Sequence, residues 1–292
     1  MAARLCPIII VLVLIFGSTT KARAIDITQL GGELTSSFTD RNAIQLTAPN
    51  VATEELSINQ LTGFGVFHKV VNKPDGLGPR FNHASCSSCH VNNGRGKVRL
   101  KNNSHASTMV VKVSKKGGLN PDGSPIDVPK VGEQLLDHNL KGKNFFDISL
   151  IWKTVSGFYS DGTKYKLRKP RLRFTIKGKK HKKFAHSLRM TPPVIGPGLL
   201  EAIPEATILG FSDPDDLDGD GISGKPQYVL NKKNGAKELG RFGFKSSHPT
   251  LEQQSAAAFF NDIGITNSIF FKPDKPLELS DQDLFLLSIY QQ

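Results

Sequence analysis

The sequence predicts a mainly α fold, α+β overall, in which a helical frame carries an antiparallel β region inserted at about residues 105–185. Three observations predict it. From Ser57 to Val71 the apolar residues Leu61, Phe64, Phe67 and Val71 recur at helical spacing. Two capping boxes, Thr250-Leu251-Glu252-Gln253 and Ser280 to Asp283, each stand before an apolar helical pattern. Between these helical ends lie short β-branched or alternating segments, with the hairpin signal Asp161-Gly162 separating two of them.

Taken in order, the first element is not expected to survive in the mature chain. Arg4, the apolar run Ile8 to Phe16 and the small-x-small site Ala22-Arg23-Ala24 have the layout of a secretory signal peptide over residues 1–24. The run is too short to span a bilayer comfortably, and nothing comparable follows, so no integral membrane segment is expected after cleavage. Cys6 precedes the apolar run and leaves with it, so Cys86 and Cys89 are the cysteines of the mature chain. The expected destination is the periplasm, or secretion. Residues 25–50, with Gly31-Gly32 and many hydroxyls, read as an irregular lead-in. The Ser57–Val71 helix and a loop from Pro74 to Arg80 come next. Expected strands are Met109–Val113, Asp147–Val155, Lys164–Leu167 and Leu172–Ile176. Helix returns at Ala256–Phe260, with Gly264 suited to its stop, and again at Leu284, Leu287 and Tyr290. The chain has 292 residues, 38% of them hydrophobic, including 18 Phe, enough to build a sizeable core and to exclude a wholly disordered protein. A single domain over residues 25–292 is expected.

Cys86-Ser87-Ser88-Cys89-His90 carries the sharpest chemistry. C-x-x-C-H is the pattern that attaches c-type haem: two thiols form thioethers with the haem vinyl groups, and the adjacent imidazole meets the iron. A thioredoxin-like dithiol has no need of His90, and neither a second C-x-x-C nor an H-x-x-x-H completes a zinc site. The motif therefore predicts one covalent haem, held by Cys86 and Cys89 with His90 as proximal ligand, in a cytochrome c-like helical frame. Met190, in the Pro-stiffened run Met190-Thr191-Pro192-Pro193, is the candidate distal ligand. Met109 lies in an expected strand and reads as core.

Five carboxylates fall within Asp213 to Asp220. Asp216, Asp218 and Asp220 stand at positions 1, 3 and 5 of an EF-hand-like loop, 213–224, with Gly221 at the turn and the Ile222 carbonyl as a further ligand. Gln227 replaces the usual bidentate Glu, so an incomplete Ca²⁺ site is expected, with Asp213 and Asp215 as weaker candidates. The alternative is a solvated acidic turn.

The formal charge is +12, and residues 164–183 contain eleven Lys or Arg and no acid. That stretch reads first as a solvated strand face and basic loop, and more sharply as a docking surface for an acidic redox partner or an anionic envelope polymer. An exported protein does not meet nucleic acid, so none is expected as partner.

Several blocks together carry a family resemblance. They are Leu77-Gly78-Pro79-Arg80-Phe81-Asn82, the haem motif with Gly94-Arg95-Gly96, Gly157 to Gly162, Pro193-Val194-Ile195-Gly196 and Gly198 to Pro204. The acidic loop, Gly240-Arg241-Phe242-Gly243-Phe244-Lys245 and Asp262-Ile263-Gly264-Ile265-Thr266 continue the same order. The chain resembles the di-haem oxidoreductases, exported c-type cytochromes named for peroxidase or thiol oxidoreductase activity. The resemblance implies haem roles for Cys86, Cys89 and His90. Members of that family continue into a second C-x-x-C-H, whereas this sequence has one. The leading expectation is a one-haem cytochrome that transfers electrons. The alternatives are a peroxidase-like enzyme, or an incomplete product whose second haem half lies elsewhere.

Overall fold

The computed structural model describes residues 53–98, 108–121, 124–143, 145–180 and 184–292. The signal peptide and lead-in expected before residue 51 lie outside the described residues, as do Lys182 and Lys183 of the basic stretch.

The fold is mixed, 27% helix and 26% strand, and this corrects the expectation of a mainly α protein. Helix α1 spans Glu54–His68, α2 is the short turn Cys86–Cys89, and α3 and α4 are Pro197–Ala202 and Glu205–Leu209. Helix α5 (Leu251–Ala258) runs on into a π-helical turn at Phe259–Ile263, and α6 is Asp281–Gln291. Among the described residues ten strands intervene: β1 Arg80–Phe81, β2 Met109–Ser114, β3 Gln134–Leu135, β4 His138–Asn139, β5 Phe146–Phe158, β6 Lys164–Ile176, β7 Lys179–Lys180, β8 Ala185–Met190, β9 Tyr228–Leu230 and β10 Lys237–Leu239. All pairings are antiparallel, in the orders β3-β2-β8, β5-β6-β7, β1-β4 and β10-β9.

Two causes account for the extra strand. The three expected segments around Asp161-Gly162 fuse into two 13-residue strands, paired from Phe146↔Ile176 to Phe158↔Lys164. Pro170 does not break β6, because β7 pairs only with Thr175 and Ile176 and the outer edge is open at Pro170. The two-residue strands β1, β3, β4 and β7 exist only through their partners, and no local period marks them.

Helix ends follow local chemistry. Thr53, Thr250 and Ser280 cap α1, α5 and α6, each side chain accepting an N–H three residues on, from Leu56, Gln253 and Asp283. Gly264 ends the π turn at φ 85°, a left-handed conformation that suits glycine. Helix α1 turns a different face inward from the one its apolar spacing indicates. Phe67 is fully buried, but Leu61 is 71% exposed. The approach to α6 runs through Gly63, where an added Cβ would stand 2.0 Å from the Leu286 carbonyl oxygen. A glycine at this crossing permits a closer approach than a leucine would.

The described residues form two cores. Phe67, Val71, Ala256, Phe259, Ile263, Leu284 and Leu287 form a helical one. Met109, Val111, Leu135, Phe146, Ile148, Leu150 and Ile176 form a β one, shared by the β3-β2-β8 sheet and the inner half of the β5–β6 ribbon. A polar seam joins them: Gln134 donates to the Asp262 carboxylate, and Asn261 to Glu133.

His248 lies near Phe270, its ring 6.2 Å from the phenyl centroid, with Gln253 Nε2 3.4 Å from its Nδ1. Burial pushes its pKa down to about 4. The unfolded chain therefore takes up this proton first as pH falls. Stability from this group is complete above about pH 6.5 and is lost progressively toward pH 4, by at most about 3 kcal/mol. Urea midpoints measured across that range should fall more steeply for the native protein than for His248→Gln.

Candidate functional site

The haem motif sits where the two cores meet. Ser85 caps α2, its hydroxyl accepting Ser88 N–H at 3.2 Å, and the His90 N–H closes the turn on Cys86 O at 3.0 Å. One helical turn thus carries both thiols, with His90 at its C-terminal end. Neither cysteine is in a disulfide. Cys86 packs against the helical core, and the Phe67 ring centroid lies 6.1 Å from that of His90.

The imidazole is oriented from 102 residues away. His90 Nδ1 lies 2.8 Å from the Pro192 carbonyl oxygen. A carbonyl only accepts, so Nδ1 carries the hydrogen and Nε2 keeps its lone pair, the form in which a histidine ligates metal. The loop that supplies this carbonyl is itself tied down. Gly96 N–H donates to Thr191 O at 3.0 Å, Val194 N–H to Asn93 O at 2.9 Å, and the Thr191 hydroxyl to Thr108 O at 2.6 Å. Asn93 in turn exchanges hydrogen bonds of 2.7 and 2.9 Å with the Tyr290 hydroxyl at the end of α6.

Burial pushes the Cys86 thiol up to about 12 and the Cys89 thiol up as well, with the Asp262 charge adding to both. Burial also holds His90 below the usual histidine range, chiefly against the Pro192 hydrogen bond, so its ring is neutral at physiological pH. Two unpaired thiols on one turn and a neutral imidazole of fixed tautomer fit haem c: Cys86 and Cys89 would hold its vinyl carbons and His90 Nε2 its iron.

Met190 is placed differently. It ends β8 opposite Met109 and packs at the margin of the β core. Two residues on, Pro192 meets the Nδ1 side of His90, the side turned away from the ligating nitrogen.

The acidic loop closes through an Asp213↔Gly224 bridge. The carboxylates that converge are Asp213, Asp216 and Asp218, with oxygens within 4.8 Å of one another. Asp213, a weaker candidate from sequence, belongs to the group because the bridge folds it back over the loop. It also accepts Leu217 N–H at 2.9 Å. Asp220 instead accepts Ile222 N–H at 2.7 Å, and Asp215 is exposed. Arg241 links the preceding helices to the Gly240–Lys245 block, donating to Leu200 O and Ile203 O at 3.1 and 2.7 Å.

Sequence reasoning assigned no role to Pro192, Asn93, Tyr290 or Asp262. Asp262 had a signal in the sequence, since it falls in a family-like block, and the structure puts it on the π turn, a feature enriched at functional sites.

A family model described as "Di-haem oxidoreductase, putative peroxidase" matches residues 24–277. A search of curated proteins and a search of solved structures each returned no match.

Proposed function

Because the chain belongs to the di-haem oxidoreductase family, we propose that it is an exported redox protein that carries one haem c and passes electrons through it. Cys86 and Cys89 would hold the haem through their sulfurs, and His90 would hold its iron. The observation that carries this reading is the His90 Nδ1 to Pro192 O contact of 2.8 Å, which prepares Nε2 for iron. Haem, when bound, supplies a one-electron iron couple. The chain's own residues hold and orient: α2 fixes the spacing of the two sulfurs, the Thr191–Val194 loop fixes the imidazole plane, and Phe67 and the helical core exclude water behind it. Export is part of the proposal because haem is attached to C-x-x-C-H outside the cytoplasm, and the 1–24 layout supplies the route.

The test is optical. Protein from a strain competent in cytochrome c maturation should show a reducible c-type α-band that returns on reoxidation. A colourless product would overturn the reading. The family's description favours a second reading, reduction of hydrogen peroxide. A high-spin ferric spectrum that changes on mixing with peroxide would establish it, and a low-spin spectrum indifferent to peroxide supports electron transfer alone.

The acidic loop is proposed as a structural Ca²⁺ site built on Asp213, Asp216 and Asp218. Hard oxygen ligands on a glycine-turned loop suit that ion, which would relieve the repulsion among the converging carboxylates. Binding to the native state alone adds about 2.7 kcal/mol at a hundredfold excess over Kd. Melting in calcium should therefore exceed melting in chelator by several degrees, and identical curves mark a solvated turn.

A further inference from the structure

The β5–β6 ribbon divides in two at Trp152. Its inner half is core: Phe146, Ile148 and Leu150 are buried opposite Ile176, Phe174 and Leu172. Beyond Trp152 no ribbon residue belongs to either core. Six further residues of β5, Lys153 to Phe158, carry the paired strands about 20 Å onward at roughly 3.3 Å per residue.

That outer half has two unlike faces, because side chains alternate along a strand. One presents Val155 opposite Leu167, then Tyr165 over Gly157, with the Tyr159 ring 5.0 Å from Tyr165. Leu167 is 56% exposed and Tyr159 59%. Lys153 and Lys169 border this apolar strip on its inner side. The other face presents Arg168, Lys166 and Lys164, with Lys164 Nζ 5.8 Å from the exposed Phe158 ring. Asp161 is the one acid between residues 153 and 173, and it is engaged at the turn, accepting Thr163 N–H at 2.8 Å.

We infer that this outer half is an arm that docks shallowly on a bilayer surface rich in anionic phospholipid. The Val155–Leu167–Tyr165 strip meets the acyl boundary, and the flanking lysines and arginines meet headgroup phosphates. Long cationic stems can bury their methylenes and carry the charge around a two-stranded ribbon to the phosphate level. Area argues against an acidic protein as the occupant. Two strands about 5 Å apart and about 20 Å long present a few hundred Å² per face, against about 800 Å² per partner in a stable protein interface. A bilayer needs only a few apolar side chains with basic neighbours. No residue of the arm belongs to the core against which Cys86 packs, so the arm serves as a tether and not as the route for electrons. No helix among the described residues is long and apolar enough to cross a membrane. The inference does not depend on haem.

The test is co-sedimentation of the mature protein with vesicles of phosphatidylcholine alone and of phosphatidylcholine mixed with phosphatidylglycerol. Binding to the mixed vesicles only, weakened by salt, is expected. The triple variant Lys164→Gln/Lys166→Gln/Arg168→Gln should bind about a hundredfold more weakly. Val155→Thr/Leu167→Thr, which keeps strand-forming residues, should weaken the binding that persists in high salt. Leu167→Trp should move to bluer emission on the mixed vesicles. Equal sedimentation with both vesicle types, or with neither, overturns the inference. Retention on immobilised polyglutamate without vesicle binding overturns it in favour of an acidic polymer or protein partner.

Discussion

Cys86→Ala/Cys89→Ala is expected to yield a polypeptide with no haem that survives denaturing electrophoresis, the largest functional effect of any change in this chain. Both sulfurs rise from one helical turn, and the sequence offers no other cysteine after residue 24. Single variants should retain a weaker haem-stained band, because one thioether still anchors the ring. His90→Ala separates attachment from ligation: covalent haem persists, while the ligand-field spectrum changes. Loss of folding is not the expected cause of a colourless double variant. Truncating a packed cysteine to alanine costs about 1 kcal/mol at each site, which a melt of the variant will show.

A large stability effect is expected from Gly63→Ala. The added carbon would stand 2.0 Å from Leu286 O, 2.7 Å from Leu286 C and 2.8 Å from Tyr290 Cβ. Two of those three atoms are backbone, which no rotamer change can move, so α1 and α6 must separate. Overpacking of this kind costs about 3 kcal/mol, and in a chain of this size that is a loss of roughly 6–12 °C in Tm. The effect reaches the site, because α1 carries Phe67 beside His90 and α6 carries Tyr290 bonded to Asn93. Gly65→Ala is the control. Nothing lies within 4 Å of its Cβ, so it should be neutral or slightly stabilising through helix propensity. Paired thermal melts of the two variants check both statements.

What the sequence made legible was local. Thr250 and Ser280 announce helix starts because the capping bond spans three residues, and Asp161-Gly162 announces a turn because glycine accepts φ 83° there. C-x-x-C-H is likewise one turn of chain. The fold class was misread because strand content depends on partners. β3 is strand only against β2, and Arg168 to Arg171, which joins two expected segments into β6, is exposed throughout and carries no apolar side chain but Pro170. The site's orienting contact was illegible for the same reason. Pro192 acts through a carbonyl that every residue has, 102 positions from His90. Gly63 gives no period at all; only the approach of α6 reveals why a side chain is excluded. In the acidic loop, spacing pointed to Asp216, Asp218 and Asp220, but the closure at Gly224 brings in Asp213 instead of Asp220.

The most direct measurement is the intact mass of the mature protein, purified from a strain competent in cytochrome c maturation, together with mapping of its cysteine peptide. A mass greater than that of the polypeptide by one haem, carried on the peptide containing Cys86 and Cys89, is the predicted result. The polypeptide mass alone, with Cys86 and Cys89 free or joined to each other, would contradict it.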